Sequence, residues 1–184
     1  EQPPSAADYA RMLRNTIGGL GCTLIIEPGR SIVGEAGALL TRVLYIKENP
    51  GRRFVIVDAA MNDLLRPALY DAYHEIVAIT DAAGMDLSPV DVVGPVCESS
   101  DTFARDRLLP RLESGDLVAL LSAGAYGSAM ASTYNSRPLI PEVLVDGSRF
   151  AVVRPRQSFE ALLGQDRIPD WLSAAGERKA KRVF

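Results

Sequence analysis

The sequence predicts one α/β unit, of the kind a barrel or doubly wound sheet repeats, over residues 1–38, and a mainly-β sandwich or barrel domain over 39–184. Three observations carry this. An amphipathic helical pattern leads through glycines into an apolar run that stops at Pro28-Gly29. Beyond about residue 40, apolar runs of strand length recur at short spacing with turn signals between them. Hydrophobic residues make up 47% and charged residues 23% of the 184, the composition of a globular chain with a core.

Residues 6–17 place Tyr9, Leu13 and Ile17 four apart behind a capping Ser5, and Gly18-Gly19 end the helix. The run 22–26 then reads as a buried strand, with Cys22 as a small buried hydrophobe. A domain that opens on its closing unit is expected to be the end of a longer chain. In the second domain, residues 40–48 alternate in the two-residue period of a half-buried strand. Further strands are expected at 52–60, 75–80, 90–97 and 116–124. Asp146-Gly147 between apolar runs predicts a hairpin over 142–156. Residues 62–73 read as a short helix broken near Pro67, and 158–165 and 169–179 as short helices.

The net charge is −3, which argues against a nucleic-acid or membrane-surface role. The one basic run, residues 177–182, reads as a solvated tail. No stretch approaches the ~20 apolar residues of a membrane span, and the opening Glu1-Gln2-Pro3-Pro4-Ser5 is unlike a signal peptide. With two cysteines and no signal peptide, a reducing cytoplasm is the expected compartment. Nothing has metal-ligand spacing, and His74 reads as a surface or capping residue.

Four stretches put polar chemistry at strand or helix ends. In Glu27-Pro28-Gly29-Arg30, the glycine lets a backbone N–H approach an anion; an ordinary turn with exposed Glu and Arg fits the same residues. Arg66 and Tyr70 share a helix face, where a guanidinium can grip a carboxylate beside a hydroxyl, or a surface Arg can lie beside a packed Tyr. Gly94-Pro95-Val96-Cys97-Glu98-Ser99-Ser100-Asp101 sets a thiol, which can donate a proton or attack, beside a carboxylate. Small residues around Tyr126 leave its ring room to lie against a flat ligand, or mark a glycine-rich strand end with a core Tyr.

In this order and spacing, EPGR, NDLLRPALYDAYHEI, GPVCESSD and GAYGSAMASTYNSRP resemble the diaminopimelate decarboxylases, over residues 20–172. The related ornithine and arginine decarboxylases share EPGR but typically carry Asp-Gly after the cysteine. The resemblance implies a pyridoxal 5′-phosphate enzyme with an alanine-racemase-like barrel and a β-domain, releasing CO₂ from meso-2,6-diaminopimelate to leave L-lysine. It implies that Glu27 faces the cofactor's pyridine nitrogen, while Pro28, Gly29, Arg30 and Tyr126 hold the cofactor. Arg30, Arg66, Tyr70, Glu98 and Tyr126 would bind substrate, and Cys97 would donate the proton after CO₂ leaves. Cys97 and Glu98 would serve the partner subunit's site in a homodimer.

The cofactor also needs a lysine. Of Lys47, Lys179 and Lys181, none ends an apolar strand, so the chain alone is expected to be inactive. Two other readings remain: a decarboxylase of ornithine, arginine or a carboxylated polyamine, and a non-catalytic β-domain that binds a partner.

Overall fold

The computed structural model describes residues 4–79 and 84–172; the basic run, with Lys179 and Lys181, and all of the helix expected over 169–179 beyond its first four residues lie outside them. Helix α1 (Ala6–Ile17) starts where Ser5 accepts a hydrogen bond from the Asp8 amide, and an Arg11–Asp8 ion pair of 2.8 Å braces its first turn. None of its residues is buried.

The strand expected at 22–26 does not form. Residues 23–29 lie in no sheet, Cys22, Leu24 and Ile26 are exposed, and Ile25 is 81% exposed. A strand is held by its neighbours' backbone groups, and no described segment offers this run an edge. Arg30–Val33 form a single turn, α2, and Gly34–Ala36 a 3₁₀ turn.

The sheet begins at Leu39. β1 (Leu39–Asn49) turns at Gly51, in the left-handed region at φ 77°, into the antiparallel β2 (Arg52–Val57). β3 (Ile76–Ala78), β4 (Leu87–Val93), β5 (Thr102–Pro110) and β6 (Leu117–Leu120) complete six strands in the order β3-β6-β1-β2-β4-β5. Every pair is antiparallel except β2 with β4. The two ends of the sheet approach each other, and Arg107 on β5 donates to the carbonyl of His74, just before β3, at 2.8 Å. The result is a nearly closed mixed sheet around Val43, Val55, Val57, Val92, Val118 and Leu120.

A bulge between Val43 and Tyr45 decides which face of β1 is buried. Leu39, Thr41 and Val43 point inward before it, and Ile46 packs against the core after it. β5 was not anticipated: Arg105-Asp106-Arg107 interrupts its apolar pattern, Asp106 sits at φ 48°, and its amide is satisfied by the Asp91 carboxylate at 2.9 Å. β4 ends at Val93, short of the expected Cys97, because Gly94 donates back to the Asp101 carbonyl and Pro95 has no N–H to continue a ladder. His74 is not a surface residue. It is 5% exposed, and its Nδ1 lies 2.8 Å from the Leu121 carbonyl, which requires the proton on that nitrogen.

Helix α3 (Arg66–Tyr70) begins at Pro67's turn rather than breaking there, since proline is well placed where helical N–H groups have no partner. β7 (Glu142–Asp146) and β8 (Arg149–Arg154) form the hairpin expected around Gly147, and α4 (Phe159–Leu163) follows, capped by Ser158. Among the described residues no helix is long and apolar enough to cross a membrane.

Candidate active site

Two glycines dock the segment after Arg30 onto the loop after β6. The Gly124 amide donates to the Gly34 carbonyl at 3.0 Å and the Ala123 amide to the Gly37 carbonyl at 2.8 Å. A Cβ on either Gly37 or Gly124 would collide with the backbone of the other, so only glycines permit this approach. The loop then turns through Ser122 and Tyr126, both in the left-handed region at φ 56° and 59°. Such non-glycine conformations cost about 1–3 kcal/mol each and persist where the surroundings hold them.

The outcome is an aromatic and cationic cluster. The Arg30 guanidinium lies 5.8 Å from the centre of the Tyr126 ring, and the Arg66 guanidinium 5.1 Å from the same ring and 5.1 Å from that of Tyr70. Among the described residues neither arginine has a carboxylate partner. Two cations drawn to one ring repel each other, and an anion bound between them relieves that repulsion. A Cβ at Gly29 would stand 3.7 Å from the Tyr126 hydroxyl, which places the Glu27–Arg30 turn at the same cluster. The Glu27 side chain is exposed and makes no hydrogen bond or ion pair among the described residues.

Cys97 and Glu98 sit on a turn beyond β4, and both are exposed. No described hydrogen bond, ion pair or cation–π contact joins them to Arg30, Arg66 or Tyr126. Their turn is braced by Asp101, 4% exposed, whose two oxygens accept the amides of Met61 at 2.7 Å and Val96 at 2.8 Å. Burial pushes the Asp101 carboxyl above the usual range, against the opposing pull of those two donors. A Cβ on Gly94 would strike that carboxylate. The Tyr134 hydroxyl donates to Glu98 Oε2 at 3.2 Å, and this bond raises the tyrosine's pKa.

The loop between β2 and α3 supports both groups. Asn62, 1% exposed, gives Nδ2 to the Ser132 carbonyl at 3.1 Å and takes Arg137 Nε on Oδ1 at 2.8 Å. Arg137 also donates to the Asp58 carbonyl at 2.6 Å and pairs with buried Asp63 at 3.5 Å. Burial raises the Asp63 carboxyl too, while the Ala60 amide and Arg137 pull it down. Asn62, Asp63, Asp101, Tyr134 and Arg137 all stand in the four motifs, but no role for any of them follows from the sequence. Their bracing function becomes visible only when the loops pack.

Comparison with known proteins places the chain in a family. Residues 14–124 match the pyridoxal-dependent decarboxylase family, C-terminal sheet domain. The chain is 52% identical to a diaminopimelate decarboxylase of Zymomonas mobilis, over 93% of this chain and 40% of that protein. It superposes on the diaminopimelate decarboxylase of Helicobacter pylori, crystallised with L-lysine, with a TM-score of 0.79 and 49% identity, over 98% of this chain and 41% of that one. A lysine/ornithine decarboxylase of Vibrio vulnificus, crystallised with cadaverine, is more distant: TM-score 0.55 and 32% identity, over 61% of this chain and 31% of that one. The chain thus spans about two fifths of the length of the curated relatives it matches. Matched over more than half its length, with its curled mixed sheet in place, it belongs to the pyridoxal-dependent decarboxylases, whose C-terminal sheet domain it carries.

Proposed function

We propose that this chain is the C-terminal part of a diaminopimelate decarboxylase, which converts meso-2,6-diaminopimelate to L-lysine and CO₂. The observation that carries the reading is the meeting of Arg30 and Arg66 at the Tyr126 ring, with Tyr70 against Arg66, in a chain about half identical to enzymes of that name. We place residues 4–38 with a catalytic barrel: Leu24, Ile25 and Ile26 are an apolar run without a sheet, as a strand parted from its neighbours would be.

The residues fit pyridoxal phosphate. Two guanidiniums without carboxylate partners suit a phosphate and a carboxylate, the Tyr126 ring offers a flat face, and the Gly29 backbone lies open beneath its hydroxyl. Pro28, Gly29, Arg30 and Tyr126 would hold the group, with Glu27 toward its ring nitrogen. When bound, the cofactor supplies an electron sink for the pair left behind as CO₂ departs.

This chain's own residues do the rest. Arg66 binds a substrate carboxylate through paired N–H donors, steadied by the Tyr70 ring. Arg30 and Tyr126 close over the same end of the substrate. Glu98 accepts the distal ammonium, which sets diaminopimelate apart from ligands without one. Cys97 delivers the proton from Sγ to the carbon that has lost CO₂. Because no hydrogen bond, ion pair or cation–π contact among the described residues joins Cys97 and Glu98 to the arginine cluster, we assign them to the site of a partner subunit in a homodimer.

The test uses the full-length protein that carries this sequence, loaded with pyridoxal phosphate. CO₂ release from meso-diaminopimelate, with L-ornithine and L-arginine turned over far more slowly, is the expected result. Preferred turnover of ornithine or arginine would sink the reading.

A further inference from the structure

The turn carrying Cys97 and Glu98 and the loop carrying Tyr134 meet at one hydrogen bond, yet both are tied to the same loop between β2 and α3. Asp101 ties the first to the Met61 amide. Asn62 ties the second, since its carbonyl accepts the Ser132 amide at 2.9 Å while its side chain donates back to the Ser132 carbonyl. Arg137, three residues past Tyr134, is locked by Asn62, Asp58 and Asp63. Between these anchors Asn135 and Ser136 are forced into the left-handed region at φ 57° and 54°. Strain of that kind survives only in a segment that its surroundings over-determine.

We propose that Tyr134 is a positioning residue, which aims the Glu98 carboxylate at a distal ammonium and so sets the preference for substrates bearing a second amino group. This rests on the reading of Glu98 given above. The phenol is a neutral donor, so it occupies Oε2 without neutralising the carboxylate and leaves Oε1 to accept from an ammonium. An exposed side-chain pair is ordinarily weak, because two mobile chains must be ordered to form it. Here the loops that carry the pair are already fixed, so the ordering cost falls on the buried polar groups around Asn62 and not on the pair itself. Tyr134 is 45% exposed, and replacing it by Phe removes only the hydroxyl.

The experiment compares the full-length holoenzyme with its Tyr134→Phe, Glu98→Gln and double variants. Inhibition constants are measured for L-lysine and for L-norleucine, which has the same chain length but no distal ammonium, together with KM and kcat for meso-diaminopimelate. Tyr134→Phe should weaken L-lysine and raise KM roughly 10- to 150-fold, the range of a hydrogen bond to a charged group. L-norleucine should stay within about twofold, and kcat should change less than KM. The double variant should be no worse than Glu98→Gln alone, because one residue acts through the other.

Equal weakening of lysine and norleucine would make the role purely structural and overturn the proposal. Additive losses in the double variant would overturn it too, since Tyr134 would then meet the ligand by itself. An unchanged lysine constant in Tyr134→Phe, with Glu98→Gln weakened, would remove Tyr134 and leave the role of Glu98 standing. A lysine preference that survives Glu98→Gln would instead bring down the reading of Glu98, and that of Tyr134 with it.

Discussion

A single carboxylate illustrates how much a site depends on what lies beneath it. Asp101 fills both oxygens with backbone amides, and its carboxyl is raised by burial. Between the unfolded value near 3.9 and the raised folded value, the folded chain binds the proton more tightly than the unfolded chain does. The stability this group provides is therefore greatest in acid and declines as pH rises through that window. Asp101→Asn abolishes the slope and also turns an N–H₂ group toward a backbone N–H. It should cost about 1–3 kcal/mol. Urea unfolding from pH 3 to 8 should show the gap between the two chains narrowing as pH rises; a constant gap would contradict the assignment.

At the scale of elements, the glycine seam between residues 34–37 and 123–124 decides whether Arg30 reaches Tyr126. Gly124→Ala forces its Cβ into the carbonyls of Val33 and Gly34 and the amide of Gly37. Overpacking of that kind costs about 1–3 kcal/mol, and here the strain is relieved by parting the seam. We expect a lower melting temperature and, in the full-length enzyme, weakened binding of pyridoxal phosphate. Unchanged cofactor affinity would show that the seam does not place Arg30.

Much of this level was legible in the sequence. Two-residue alternation located β1, the Asp-Gly pair located the β7–β8 hairpin, and the four-residue spacing of Arg66 and Tyr70 placed both on α3. The failures have physical causes. β5 hides behind charges that a bulge turns to solvent, and β4 stops early at Gly94-Pro95. The run 22–26 has a strand's composition but no neighbour to pair with, which composition does not reveal. The bracing role of the groups around Asn62 was not legible, because polar residues near a strand end look solvated until the loops that bury them are in place.

For the whole molecule, one placement bears on assembly. No described hydrogen bond, ion pair or cation–π contact joins Cys97 and Glu98 to the arginine cluster, and the shared-site reading makes each subunit finish the other's pocket. Mixing full-length Cys97→Ala with a variant lacking the cofactor-bearing lysine should restore up to half of the activity per dimer. Absence of recovery after demonstrated subunit exchange would confine Cys97 to its own chain or leave it idle. The chain alone gives a sharper expectation. Lys47 is exposed on β1, remote in sequence from Arg30 and Tyr126, so borohydride treatment with pyridoxal phosphate should trap no stoichiometric adduct. A one-to-one adduct would show that some lysine here does reach the cofactor.

The strand order has a consequence for the time course of folding. β1 finds β2 across a tight turn, but its other neighbour, β6, is about eighty residues further on. That closure must wait for synthesis to pass Leu120, and until then the leading half of β1 presents an open ladder edge beside apolar side chains. The nascent chain therefore passes through a sticky stage of its own making. Chaperone dependence should fall away once β6 has cleared the ribosome, which stalled nascent chains ending before and after that strand would reveal.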